Sequence, residues 1–150
     1  MKRFLVLTLA VLMLLPILSV TAIAAPTDKL VSTTTEYLEN GSYTVTNVYE
    51  SAIQPRTGKS GYATTTYYAS NGSKIFGVTV NGTFSYVEAV TSAATGATAS
   101  VSIYSNKASF VSKNAYTSGA TAIATGTVNY SGDTITKTVT LTCDKYGNLY

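Results

Sequence analysis

Apolar and hydroxyl-bearing residues alternate along almost the whole chain beyond position 26. A period of two puts successive side chains on opposite faces of a strand. Val31, Thr33, Thr35 and Tyr37 fall in one phase; after Asn40-Gly41, so do Tyr43, Val45, Asn47 and Tyr49. Asn-Gly between two alternating runs predicts a hairpin, because both residues tolerate the positive φ of a tight turn. Ser51 to Lys59, with Pro55 and Gly58, reads as a loop, Tyr62 to Ala69 as a strand, and Ser70-Asn71-Gly72-Ser73 as a second turn. Phe76, Val78, Val80, Phe84 and Tyr86 share one face of a long strand. Gly82 in that row predicts a bulge, favoured over a turn at Asn81-Gly82.

Further along, Ala97, Ala99, Val101 and Ile103 oppose Thr98, Ser100, Ser102 and Tyr104. The pattern weakens from Ala108 to Tyr116, where Phe110 and Val111 anchor a strand. Ala120, Ala122, Ala124, Gly126, Val128 and Tyr130 are in phase before a turn at Ser131-Gly132-Asp133. In the last strand Ile135, Val139, Leu141 and Cys143 point inward, with Thr134, Thr136, Thr138, Thr140 and Thr142 outward. No window has the three-and-four spacing of a helix. About eight strands, each with one apolar face, predict an all-β antiparallel two-sheet sandwich, immunoglobulin-like or similar, over a single domain, residues 26–150.

Residues 1–25 have the three parts of a signal peptide. Lys2 and Arg3 precede an apolar run from Phe4 to Val20, and Ala22 and Ala24 supply the small residues of a cleavage site. That run of about 17 residues, broken by Pro16, is short for a membrane span needing ~20. Residues 1–25 are therefore expected to form the apolar helix of a cleaved signal peptide. Without them 8 basic and 7 acidic residues remain, so the sequence pI of 8.9 is weak support for a nucleic-acid partner. Neither a second apolar span, a lipoprotein cysteine nor a wall-sorting tail is visible, so the expected product is released outside the cell, with no membrane contact after cleavage.

Beyond residue 25 the chain carries 24 Thr, 15 Ser and all 12 Tyr. Thr and Tyr favour strands, in keeping with the alternation. The segment Thr35 to Gly41 with its Asn-Gly hairpin, the row Ile75 to Tyr86, and the ending Val139 to Leu149 resemble a group of short secreted proteins from clostridial, often gut-dwelling, Gram-positive bacteria. The resemblance implies a secreted β-sandwich of uncharacterised function. It also implies a mid-chain Cys and a Trp before the sixth strand. Val90 to Thr95 and Lys107 stand in those regions here, which puts the disulfide of such proteins in doubt for this chain.

The chemistry is thin. With no His and one Cys, neither a Ser-His-Asp nor a Cys-His arrangement can be assembled, and the usual zinc sites lack ligands. No phosphate-cradling or dinucleotide glycine motif occurs. Cofactors and metals are therefore expected to be none. Paired carboxylates remain. Glu88, among Val87, Ala89 and Val90, is the one acid whose neighbours would allow burial, but a solvated surface is preferred for all seven. The tyrosines suggest glycan binding, and adjacent Tyr67 and Tyr68 guarantee one ring on each face. Cross-strand filler is the competing reading for both. Threonine rows suggest an ice-binding array, but the short strict repeats of such proteins are missing. Lys137 breaks the inner phase of the last strand. It reads either as a guard on an edge strand or as half of an isopeptide bond promoted by Glu88. The expected role is a non-enzymatic extracellular protein, a glycan- or surface-binding module. A small secreted bacteriocin and a carboxylate-based glycan hydrolase are the alternatives. A monomer is expected, with Cys143 buried in phase with Leu141; a Cys143-linked dimer is the rival.

Overall fold

The computed structural model describes residues 27–150. The expected signal peptide, residues 1–25, lies outside the described residues. Eight strands follow: β1 (Lys29–Tyr37), β2 (Tyr43–Glu50), β3 (Lys59–Tyr68), β4 (Lys74–Val87), β5 (Thr91–Ile103), β6 (Ala108–Ser118), β7 (Thr121–Tyr130) and β8 (Asp133–Thr142). They form two antiparallel sheets, one of five strands in the order β1-β2-β3-β4-β5 and one of three in the order β6-β7-β8. Within each sheet every strand pairs with its sequence neighbours, so each sheet is a simple meander and the chain passes between them once, from β5 to β6, without the crossovers of a Greek key.

The small sheet covers only part of the large one. β8 packs over β3, β7 over β4 and β5, and β6 over β5. β1 projects past this cover, and all nine of its residues are exposed, Leu30 and Val31 included. Apolar inner faces build the core. Phe76, Val78, Val80 and Phe84 of β4 meet Ala122, Ala124 and Val128 of β7 and Val139 and Leu141 of β8, with Ala63 and Tyr67 of β3 alongside. A Cβ on Gly126 would lie 2.6 Å from Val78 Cγ2 and 2.7 Å from Val101 Cγ2, so the sheets approach closely at that point. Register places Lys113 of β6 and Lys137 of β8 on either side of Gly126, in the same inner row. Both edge strands of the small sheet thus carry a cation on an otherwise apolar face, which discourages pairing with a further strand.

Several expectations need correcting. Gly82 is neither bulge nor turn: it pairs in unbroken register with Gly61 and Ala97. The irregularity lies one step on, where Thr83 pairs with Gly96 and Phe84 with Ala94, leaving Thr95 as the extra residue. A Cβ at Gly82 would sit 2.7 Å from Phe84 Cζ and 3.0 Å from the Ala122 methyl, so its place is kept for the Phe84 ring.

The Asn-Gly turns also work differently. Only the glycines, Gly41 (φ 76°) and Gly72 (φ 81°), have positive φ. Asn40 and Asn71 contribute side-chain oxygens instead, each accepting the N–H of the serine two residues on, at 3.0 Å for both Ser42 and Ser73.

Glu88 is exposed in the β4–β5 turn, where the sheet ends, in line with the solvated surface preferred for the acids. That location removes it as a partner for Lys137, whose ammonium lies 5.3 Å from the centroid of the Tyr67 ring. The C-terminal segment is less solvated than its composition suggests. Asp144 accepts the Tyr146 and Asn148 N–H groups at 2.8 and 2.9 Å, and the chain turns back so that Cys143 bridges Leu149. Leu149 is buried and fills the space over Gly61, where a Cβ would meet its Cδ1 at 2.5 Å.

Candidate functional site

Tyr67 and Tyr68 end β3 on opposite faces, and the difference in their surroundings separates two surfaces. Tyr67 points inward, 6% exposed, with its ring tilted on Phe76 at 5.6 Å. Tyr68 points outward and stacks on Tyr43, centroids 4.8 Å apart and planes 3° from parallel. The two therefore cannot grip one sugar ring together. Burial leaves Tyr67 without a free face to lay on a ligand, and the candidate platform belongs to Tyr68.

Register assembles that platform. Tyr37 pairs with Tyr43, and Tyr43 with Tyr68, because the Asn40-Gly41 turn fixes the alignment of β1 and β2. Lys74 is opposite Tyr68 on β4. Tyr104, immediately after β5, completes the row: its ring passes beside Gly77, where a Cβ would come within 3.5 Å of it, and the Lys74 ammonium lies 3.9 Å from its centroid. Five side chains thus cross all five strands, a span of about 19 Å at ~4.8 Å per strand. Tyr37 is 77% exposed and tilted 40° from Tyr43, so one of its ring faces is open to solvent.

A second aromatic pair lies six residues along the same face. Tyr49 and Tyr62 stack at 4.7 Å with planes 16° apart. Burial first, then the hydrogen bond to the Asp28 carboxylate, pushes the Tyr62 phenol above its ordinary pKa. Asp28 is itself fixed by the Ala52 N–H at 2.8 Å. The rows are about 20 Å apart at ~3.4 Å per residue.

Hydroxyl and amide side chains pave the floor between them: Thr33, Asn47, Thr64 and Thr79 run side by side across four strands. Thr33 donates to Asn47 Oδ1 at 2.8 Å, and the Thr64 and Thr79 hydroxyls are 2.7 Å apart. The face carries half of the chain's 12 Tyr, with Lys74 as the charge within the upper row and Asp28 beside Tyr62 at the other end.

No family model, curated protein or solved structure matches this chain. The site therefore stands on its own geometry.

The outer face of the small sheet is a different surface. Thr134, Thr136, Thr138 and Thr142 all face outward, as alternation requires, but their hydroxyls pair across to β7. Thr121–Thr142 and Thr127–Thr136 are each 3.0 Å apart, Thr125–Thr138 is 3.3 Å, and Thr134 donates to Asn129 Oδ1 at 2.7 Å. Tyr116 and Ile123 are the only large side chains in those rows, so the face has no aromatic platform.

In a cleft of about 710 Å³ between the sheets, Asp133 is the only acid among the lining residues. Glycoside hydrolysis ordinarily uses two.

Sequence reasoning singled out Tyr68 but passed over Tyr37, Tyr43, Tyr49, Tyr62 and Tyr104. The signal was present: Tyr37, Tyr43 and Tyr49 share a phase on either side of a tight turn, and such a turn sets cross-strand partners. Tyr104, outside any strand, offered no such signal.

Proposed function

We propose that this protein is a secreted, non-enzymatic glycan-binding module that lays a neutral polysaccharide across the outer face of its five-stranded sheet. The observation that carries this reading is the gathering of six tyrosines on one nearly uncharged face, with hydroxyls and amides between them. A pyranose ring presents axial C–H groups on its faces and hydroxyls around its rim. Aromatic side chains take up the former, and Thr and Asn side chains exchange hydrogen bonds with the latter. The tyrosines of the stacked pairs occupy one another's faces and Tyr104 carries the Lys74 ammonium on its ring, so Tyr37 is the residue that lays an open face on a sugar ring, while Tyr43, Tyr68 and Tyr104 hold the row in line and offer phenol hydroxyls. A ligand with repeating units suits a row ~19 Å long better than a single sugar does.

Lys74 is the one charge within the tyrosine row, and its ammonium rests on the Tyr104 ring; the remaining Tyr, Thr and Asn side chains are uncharged, which favours neutral chains over acidic ones. The test is a glycan array probed with wild-type protein and with Tyr37→Ala. Binding to extended neutral glycans that falls at least tenfold in the variant supports the reading. Growth inhibition of neighbouring bacteria with no glycan bound would favour a bacteriocin instead, and release of reducing sugar would favour a hydrolase.

A further inference from the structure

The two sheets part at one end, where the β1–β2, β3–β4 and β7–β8 turns converge around the cleft of about 710 Å³. Such a volume lies within the range of sites that hold small organic ligands. Tyr67 and Tyr130 line it with aromatic surface, and Asn40, Asn71, Ser42 and Ser70 with polar groups. Lys137 enters from β8.

Two features set the chemistry of this cleft. The first is the half-buried Lys137, which the phase of β8 forces onto the inner face between Ile135 and Val139. Its ammonium lies 5.3 Å from the Tyr67 ring centroid, and among the described residues it forms no ion pair. Asp133, the sole acid of the cleft, is exposed on the lip. A half-buried ammonium whose nearest compensation is an aromatic ring 5.3 Å away is only partly compensated.

The second is the matched pair of asparagine turns. Backbone N–H groups can only donate, so the oxygens of Asn40 and Asn71 must be the atoms facing Ser42 and Ser73. Asn40 Oδ1 accepts the Ser42 hydroxyl as well, at 2.5 Å. Each asparagine has thus committed its acceptor to its own turn, and the groups left over are amide N–H donors. Among the described residues neither Nδ2 makes a side-chain hydrogen bond. One half-buried ammonium and two exposed amides stand beside hydroxyls that both donate and accept (Ser70, Ser131, Thr134 and Thr136) and the exposed Asp133; the ammonium and amides suit an acceptor-bearing, negatively charged group.

From these features we propose that the cleft between the sheets is a binding site for a carboxylate-bearing sugar, with Lys137 as the counter-ion and Asn40 and Asn71 as donors to the carboxylate and its neighbouring hydroxyls. The carboxylate supplies the charge that Lys137 lacks, and the sugar body fills the space beside Tyr130. This site is on the opposite face of β3 from the tyrosine platform and differs from it in ligand charge.

The experiment is calorimetric titration of the full protein with methyl glucuronide and with methyl glucoside, single sugars too short to span the tyrosine row. Wild-type protein is expected to bind the acidic form at least tenfold more tightly. Lys137→Met, which keeps the aliphatic stem against Tyr67, abolishes that preference, and Lys137→Arg retains it. Thermal unfolding near the wild-type midpoint verifies that Lys137→Met is folded. No binding of the acidic form, equal binding of both forms, or an undiminished preference in Lys137→Met overturns the proposal.

Discussion

Tyr43 and Tyr68 lie face to face across β2 and β3, 4.8 Å apart with planes 3° from parallel, while Tyr37 leans on the end of the pair at 40°. The pair and the outlier therefore do different work. Stacked aromatics contribute about 0.5–1.5 kcal/mol beyond the area they bury. Tyr68→Ala is expected to lower unfolding stability by at least that much, whereas Tyr37→Ala, at an exposed position on an edge strand, changes it by less than about 0.5 kcal/mol. Chemical denaturation of the two variants checks the contrast. Equal losses would mean that Tyr37 is part of the fold and not of a ligand-facing surface.

Gly126 makes a second prediction. It stands in the one inner row whose edge residues are both lysines, and both Val78 and Val101 press against it. Gly126→Ala places a methyl inside van der Waals distance of two branched side chains on the opposing sheet, so β7 must move away from β4 and β5. Overpacking of this kind costs about 1–3 kcal/mol. A thermal midpoint that is unchanged or raised would show that the sheets have slack at this point.

Ala89 adopts φ 62° in the β4–β5 turn, a conformation that a β-carbon disfavours, and its N–H is held by the Lys145 carbonyl at 3.0 Å. Glycine there relieves the steric conflict at the cost of a freer unfolded chain. Ala89→Gly is expected to raise stability by up to about 1 kcal/mol, read from denaturant midpoints at constant slope. A clear loss would argue against the left-handed turn.

Strand phase carried most of the fold from sequence, because one buried face per strand makes alternation hard to evade. Phe76 to Phe84, Ala122 to Val128 and Ile135 to Cys143 point where their phase requires. What phase cannot report is where a sheet stops being covered. Leu30 and Val31 alternate like core residues yet are exposed, since the small sheet does not reach β1. Thr95 escaped notice because its bulge sits among small residues, Ala93, Ala94, Gly96 and Ala97, that shift phase without a visible break. Glu88 is exposed, as preferred for the acids; its apolar neighbours in sequence lie in a turn, where they say little about neighbours in space. The platform was half legible: hairpin register gives Tyr37 opposite Tyr43, but Tyr104 joins them only through the order of strands β3 to β5.

Cys143 tests phase in another way. It is buried at 1% exposure, bridged to Leu149, and its Sγ lies 3.5 Å from the Asp144 carbonyl. Such burial leaves no route to the disulfide-linked dimer considered from sequence. Desolvation, then the nearby Asp144 charge, pushes the thiol pKa up, so the reactive thiolate is scarce at neutral pH. Because the folded-state pKa is the higher one, this contribution to stability is full below the ordinary thiol pKa and is lost as pH rises through the raised value. Native protein is expected to resist thiol reagents at pH 8 and to react stoichiometrically once denatured. Rapid labelling without denaturant would contradict the burial.

The central claim is that neutral glycan lies on the outer face of the five-stranded sheet, and ring resonances of the tyrosines report on it directly. Protein with labelled tyrosine rings, titrated with the tightest-binding neutral oligosaccharide from the array, is expected to shift Tyr37, Tyr104, Tyr43 and Tyr68 while leaving Tyr67 and Tyr86 in place. Shifts confined to Tyr67 and Tyr130, or no shift at saturating sugar, would contradict the account.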